Sequence, residues 1–406
     1  MRILFVNKFH YLKGGSEKYY FELAELMKEK GHEVAFFSMK NDKNISTGCK
    51  EYFVEEIDLN TGSKLKALDV IYSKNNYKKM IEAIEDFKPD IIHVNNFQRQ
   101  LSASIIKAAN KKKVPIVFTA HDVQAICPAI TMMDNDKNIC EKCMHGKYFY
   151  CVKKKCNKGS TLKSLIGAIE GYYYRIKKIY TKKINCIITP SEFYKNKLVE
   201  DGISENKIVA LHNFVELNNY NVETVDEGYA LYFGRLSKEK GILKLIDAFS
   251  KVEKGVLYIA GEGPEKETIV KFIDDNKLND KIKLLGFLDA DEMKEKIRKC
   301  KFVVVPSIWY ENCPYSVMET LAIGKPVIGA NIAGIPELVK HNRSGFIYNY
   351  NSSDELAERM KTLFENDNLV KKFGNNAKTD ATKLYGKEKY YDNILKIYNN
   401  LLKGEK

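Results

Sequence analysis

Twice along this chain, short continuous apolar runs alternate with stretches that carry helical spacing, and that doubled rhythm leaves few architectures open. The first series is ILFVN, EVAFFSM, DIIHVN, PIVFTAHD, CIITPS and IVALHN. Such runs, unbroken and rich in Val and Ile, predict strands covered on both faces, as in a parallel sheet. Between them lie segments such as SEKYYFELAELMKEKGH, whose apolar residues recur at helical intervals until Gly31 stops the helix. After the polar stretch NFVELNNYNVETVDEG the rhythm restarts with YALYFGR, GVLYIAGEG, KIKLLGF, KFVVVPS, KPVIGAN and SGFIYN. The reading is α/β: two doubly wound domains facing a cleft, joined near 214–228. The expected bounds are 1–213 and 228–385, with a C-terminal helix at about 386–406 packing back on the first domain. A chain of 406 residues suits two domains of about 200 each.

Charge separates the halves. Residues 1–200 hold 35 Lys+Arg against 22 Asp+Glu, whereas 201–406 are balanced at 31 against 31. Most of the excess lies in 101–200, with 19 basic and 7 acidic residues. One face of the first domain is therefore expected to meet something acidic: an anionic membrane surface, a diphosphate-linked substrate or nucleic acid. Nucleic acid is the weakest of these, because no recognition helix or stacking platform accompanies the basic residues. No apolar run reaches the ~18 residues of a membrane span. MRILFVNKFH turns polar too soon for a signal peptide and reads as a first strand. Nine cysteines, an odd number and partly scattered, disfavour a secreted disulfide framework, so a cytoplasmic protein is expected.

The second domain carries the densest chemistry. In FGRLSKEKGI, Arg235 ends a strand and Lys240 follows five residues later, a fork and a point charge suited to a diphosphate. In IAGEGPE, Gly263 closes a Gly-x-Gly that admits either a close-lying ligand or merely a tight turn. In WYENCPYSVMETLAIGKPVIGANIAGIPELV, Pro314 is read as a first-turn residue. Glu311 then lies in the loop before a helix and Glu319 inside it, with the N–H groups of Tyr315, Ser316 and Val317 facing an anion. A carboxylate so placed suits paired sugar hydroxyls.

The words ENCPYSVMETLAIGKPVIGANIAGIPELV and GRLSKEKGI, with Gly14 and Gly15 after the first strand, resemble the retaining nucleotide-sugar glycosyltransferases of family 4 type. These have two Rossmann-like domains, the GT-B fold, and the resemblance spans essentially the whole chain. It implies a UDP- or GDP-sugar donor whose diphosphate is neutralised by Arg235 and Lys240. Glu319 would hold the ribose, Glu311 would meet the sugar, and Asn312 to Ser316 would form a backbone cradle. Phe287 would seat the base. His121 would face the reacting sugar, and Gly14 and Gly15 would bring backbone N–H groups near it. A front-face displacement without a catalytic metal is implied, rather than a carboxylate nucleophile. Cys313-Pro314-Tyr315 departs from the Phe-Gly common in relatives. The acceptor is expected to be a glycan or lipid-linked glycan in cell-surface polysaccharide assembly, with a nucleotide-sugar epimerase or hydrolase as the rival reading. His93 suits a structural or an acceptor-lining role equally.

Two segments of the first domain stand apart. Residues 127–156 hold five cysteines. Cys127, Cys140, Cys143 and Cys156 are spaced for a structural zinc, Cys151 or His145 could substitute, and unliganded thiols or disulfides compete. The Asp134-x-Asp136 pair there is not expected to be a catalytic metal site. The helix STLKSLIGAIEGYYYRIKKIYTKK places Leu162, Leu165, Ile166, Ile169, Tyr173, Ile176 and Tyr180 on one stripe flanked by lysines. It reads either as membrane-lying or, preferred, as packing on its own sheet.

Overall fold

The computed structural model describes residues 1–57, 69–220 and 224–404. The predicted linker at 214–228 and the helix end at 405–406 thus fall partly outside the described residues. The chain divides into two compact units, Met1–His212 with Tyr390–Lys406, and Asn213–Lys389.

The first unit is built on strands β1 (Arg2–Val6), β2 (Glu33–Met39), β3 (Lys50–Val54), β4 (Ile91–Val94), β5 (Ile116–Thr119), β6 (Cys186–Thr189) and β7 (Ile208–Ala210). All pair in parallel, in the order β3-β2-β1-β4-β5-β6-β7. The β1 segment Ile3–Val6 is wholly buried, as its unbroken apolar run requires. Helices α1 (Gly15–Glu29), α2 (Lys74–Phe87), α3 (Ser104–Lys111), α4 (Phe149–Lys153), α5 (Thr161–Ile176) and α6 (Glu192–Glu200) connect the strands. Several start on a side-chain cap: Ser73, Ser160 and Ser191 accept from backbone N–H groups of the first turn. Strand β3, KEYFV, was not anticipated; as an edge strand it is only half covered and shows little apolar continuity.

The second unit restarts the pattern with β8 (Tyr229–Phe233), β9 (Val256–Ala260), β10 (Ile282–Gly286), β11 (Phe302–Val305), β12 (Val327–Ala330) and β13 (Gly345–Tyr348). Their order is β10-β9-β8-β11-β12-β13, again parallel. Helices α7 (Ile242–Ser250), α8 (Lys266–Asp275), α9 (Ala290–Lys299), α10 (Tyr315–Ile323), α11 (Ile335–Leu338), α12 (Ser353–Glu365) and α13 (Asp367–Tyr385) surround it. Each unit is therefore a doubly wound, Rossmann-like α/β domain. In each, strand order reverses beside the first strand, between β1 and β4 and between β8 and β11, where a ligand crevice opens at the carboxyl ends.

Helix α14 (Lys387–Lys403) returns to the first unit. The Tyr390 and Tyr19 hydroxyls lie 2.5 Å apart, Tyr398 meets His93 Nδ1 at 2.5 Å, and Tyr391 meets His32 at 2.9 Å.

Helix α5 corrects the sequence reading. Its buried face is Ser164, Gly167, Ala168, Glu170 and Tyr174, whereas Leu162, Leu165, Ile169 and Ile176 are exposed. The glycines explain the inversion. A Cβ at Gly167 would lie 2.8 Å from Asn157 Nδ2, and one at Gly171 would lie 2.9 Å from the Tyr148 ring. The cysteine-rich segment presses on this face too closely for a large side chain to turn inward.

Candidate active site

At the reversal point of the second sheet, the loops after β8 and β11 meet around one carboxylate. Lys240 Nζ donates to Glu311 Oε1 at 2.6 Å, Ser307 Oγ at 2.7 Å and Trp309 Nε1 at 2.8 Å. The loops are also tied through backbone, with Ile308 N–H on the Glu239 carbonyl at 3.0 Å. Burial pushes the Glu311 carboxyl up, but the Lys240 ammonium and the two further donors, Trp309 and Ser307, outweigh it and hold it below the usual range. Glu311 is thus an ionised, buried group with a preset orientation. The Lys240 ammonium also lies 5.3 Å from the Trp309 ring centroid. Ser307 and Trp309 were not singled out from sequence, although the chain's only tryptophan stands two positions before Glu311.

Helix α10 begins directly after this carboxylate. Pro314 is its N-cap, one position earlier than the expected first turn. Val317 N–H donates to the Pro314 carbonyl at 3.1 Å. It is used inside the helix, so the cradle read as Tyr315, Ser316 and Val317 loses its third donor. Asn312 is pinned from behind: Gly334 N–H donates to the Glu311 carbonyl at 2.8 Å, and a Cβ at Gly334 would lie 1.8 Å from the Asn312 oxygen. One turn into α10, Glu319 Oε1 accepts from the Tyr220 hydroxyl at 3.1 Å. Tyr220 was missed because it sits in the polar stretch read as linker. Cys313 is buried against Met318, and burial pushes its thiol up to about 12.

A separate pocket on this unit is lined by Gly234, Arg235, Gly261, Glu262, Phe287 and Met293. The Phe287 ring is 77% exposed there, unusual for an aromatic side chain with no partner to cover. Gly263 has a reason of its own. A Cβ would lie 2.2 Å from the Leu236 oxygen, so the protein's own backbone requires glycine at this position.

On the first unit, the corresponding carboxyl ends carry Asn7, Asn95 and His121. His121 Nε2 bonds Asn95 Oδ1 at 2.8 Å, and its ring stands edge-on to Tyr19 at 4.8 Å. Burial pushes its imidazole down to about 3, so it is neutral near pH 7. The buried Asn95 Nδ2 has no partner among the described residues. Gly14 is the extended N-cap of α1, which starts at Gly15. A Cβ at Gly14 would meet only Glu17, at 3.8 Å, so nothing within the protein demands glycine there. Both ring nitrogens of buried His93 are engaged within the protein, Nε2 with Thr119 Oγ1 at 2.8 Å and Nδ1 with the Tyr398 hydroxyl.

In the cysteine-rich segment, Cys127, Cys140, Cys143, Cys151 and Cys156 are all free thiols. Cys151 and Cys156 share a hydrogen bond, which pulls Cys156 down to about 7. Among the described residues, no group of three or more His, Cys, Asp or Glu side chains is arranged to hold a metal ion. The zinc expectation on Cys127, Cys140, Cys143 and Cys156 therefore gains no ligand set. Asp134 accepts from Lys154 at 2.6 Å and from the N–H groups of Asp136 and Asn138, which closes its own loop.

Two Rossmann-like units in one chain, each with polar groups at its reversal point, match the architecture of the GT-B fold. The family described as Glycosyltransferase Family 4 matches residues 13–219, and that described as Glycosyl transferases group 1 matches 216–380. The chain belongs to the family 4, group 1 type glycosyltransferases. It is 27% identical over 333 residues to an uncharacterised glycosyltransferase of Methanocaldococcus jannaschii, covering 82% of this chain and 81% of that one. It is 22% identical over 401 residues to N-acetyl-alpha-D-glucosaminyl L-malate synthase of Bacillus anthracis, covering 97% and 96%. Among solved structures, Anabaena HepE in complex with UDP superposes with a TM-score of 0.71 at 18% identity, covering 98% of this chain and all of that one.

Proposed function

We propose that this glycosyltransferase is a retaining hexosyltransferase that uses a UDP- or GDP-sugar donor. The observation that carries the reading is the buried, ionised Glu311 held by Lys240, Ser307 and Trp309 at the start of α10. UDP bound in the Anabaena structure supports a nucleotide donor. The base stacks on exposed Phe287, Arg235 and Lys240 meet the diphosphate, Glu319 with Tyr220 holds the ribose, and Glu311 accepts from sugar hydroxyls. As the sugar leaves, negative charge grows on the diphosphate, and Arg235, Lys240 and the α10 N-terminus stabilise it. The departing phosphate oxygen takes the acceptor's proton, so no protein nucleophile is required. The first unit serves the acceptor side, with neutral His121 orienting a hydroxyl and Gly14 and Gly15 allowing close approach. The acceptor is a glycan or lipid-linked glycan of cell-surface polysaccharide assembly, reached from the cytoplasmic side.

The test is a panel of nucleotide sugars with and without a lipid-linked oligosaccharide. Acceptor-dependent nucleotide release, lost in Glu319→Ala with folding intact, is the expected result. Donor conversion that ignores the acceptor would mark an epimerase or hydrolase instead. Failure of every nucleotide sugar to raise the melting temperature would refute the donor site.

A further inference from the structure

A surface helix normally turns its large apolar side chains to the core. Helix α5 does the reverse. Leu162 is 66% exposed, Leu165 and Ile169 each 43%, Tyr172 37% and Ile176 71%. At 100° per residue these five fall within an arc of about 80°, a single outward ridge. Phe149, on the packed helix α4, is also 51% exposed. The inward face is closed to them by Asn157 and Tyr148 lying against Gly167 and Gly171. The ridge is thus a fixed product of the packing.

Its surroundings are as one-sided as its polarity. Residues 142–183 contain 12 Lys+Arg and one acid, Glu170. Glu170 is buried, accepting from the Arg99 N–H at 2.7 Å and from Gln124 at 3.2 Å, so it adds no negative charge to the surface. Among the described residues, Lys153, Lys155, Lys158, Lys163, Lys177 and Lys182 form no ion pair, although each is exposed. Apolar side chains that project furthest, ringed by unpaired ammonium groups, match the layered chemistry of an anionic bilayer: acyl boundary first, phosphate headgroups around it.

We propose that α5, with the tip of the cysteine-rich segment, docks this protein on an anionic lipid bilayer. Leu162, Leu165, Ile169 and Ile176 enter the interface while the lysines meet the headgroups. No described helix is long and apolar enough to cross the membrane, so the contact lies along the surface. A second copy of the chain is a poor occupant, because a two-fold contact would set this cationic face against itself. The inference deepens the proposed function and rests on it for its purpose, a membrane-borne acceptor; its geometry does not depend on the donor site.

The experiment is flotation of the full chain with vesicles of phosphatidylcholine alone or with about 30 mol% phosphatidylglycerol. Binding to the anionic vesicles should exceed that to neutral ones by about tenfold or more and should weaken in high salt. A Leu162→Ser/Ile169→Ser/Ile176→Ser variant should lose binding by about tenfold or more with an unchanged melting curve. A separate Lys163→Glu/Lys177→Glu variant should also lose it. Equal binding to neutral vesicles, a triple variant that floats like wild type, or wild type that stays in solution would each overturn the proposal. So would a dimer in sedimentation that the triple variant dissolves. No donor sugar is needed, so a failure of flotation and a failure of transfer are read separately.

Discussion

The Lys240–Glu311 contact is the residue-scale feature with the clearest consequence. Glu311 is almost fully buried, and its carboxyl stays ionised because an ammonium at 2.6 Å and two further donors outweigh burial. Lys240→Ala should therefore reduce turnover by about 10² to 10³. It should also move the acid limb of stability. A depressed carboxyl contributes stability that is complete above its unfolded value near pH 4.3 and is lost as pH falls through its folded value. Without Lys240 the burial cost is no longer offset, the folded value rises, and the loss should begin at higher pH. Melting temperatures from about pH 4 to pH 8 would show the two curves parting. Coincident acid limbs would mean that Ser307 and Trp309 alone hold the charge.

At the scale of elements, the glycines divide into two kinds. Gly334 and Gly263 are required by the protein's own backbone, since a Cβ would lie 1.8 Å from the Asn312 oxygen and 2.2 Å from the Leu236 oxygen. Gly334→Ala should cost at least about 3 kcal/mol and lower the melting temperature by roughly 6 °C or more. Gly14→Ala meets nothing closer than 3.8 Å and leaves an extended φ, so its melting temperature should stay within about 1 °C. If Gly14 admits a ligand, turnover should fall in that variant all the same; normal turnover would return it to an ordinary loop. The same scale shows what the sequence could reveal. Fully covered strands were legible because burial on both faces imposes unbroken apolar runs. Edge strand β3 was not, because one open flank relaxes that demand. The α5 stripe was visible but its direction was not, since direction depends on Tyr148 arriving from the cysteine-rich segment and Asn157 from the position just after it. Arg235, Lys240, Glu311 and Glu319 could be named because each stands in a distinctive word. Tyr220 reaches Glu319 only through the fold, and Val317 lost its expected free N–H to a first-turn bond with Pro314 that only coordinates reveal.

For the whole molecule, the return of α14 joins the last residues to the earliest core. Tyr390 bonds Tyr19, which bonds Thr119 at 3.1 Å, which in turn bonds His93, whose other nitrogen is taken by Tyr398. Tyr390, Ile394 and Tyr398 are buried in that contact. A chain truncated after residue 386 should lose several kcal/mol from the first unit and melt about 10 °C lower by calorimetry. An unchanged melting curve would show the helix to be dispensable. Partners separated by 305 and 371 positions also impose an order on synthesis. While a ribosome is still making the second unit, the first can form its sheet but leaves His93 and Tyr19 short of their final neighbours. Of the two units, the one translated earlier is thus completed only after the other has been made, and any message cut short before residue 390 yields a protein whose earlier unit stays exposed to quality control.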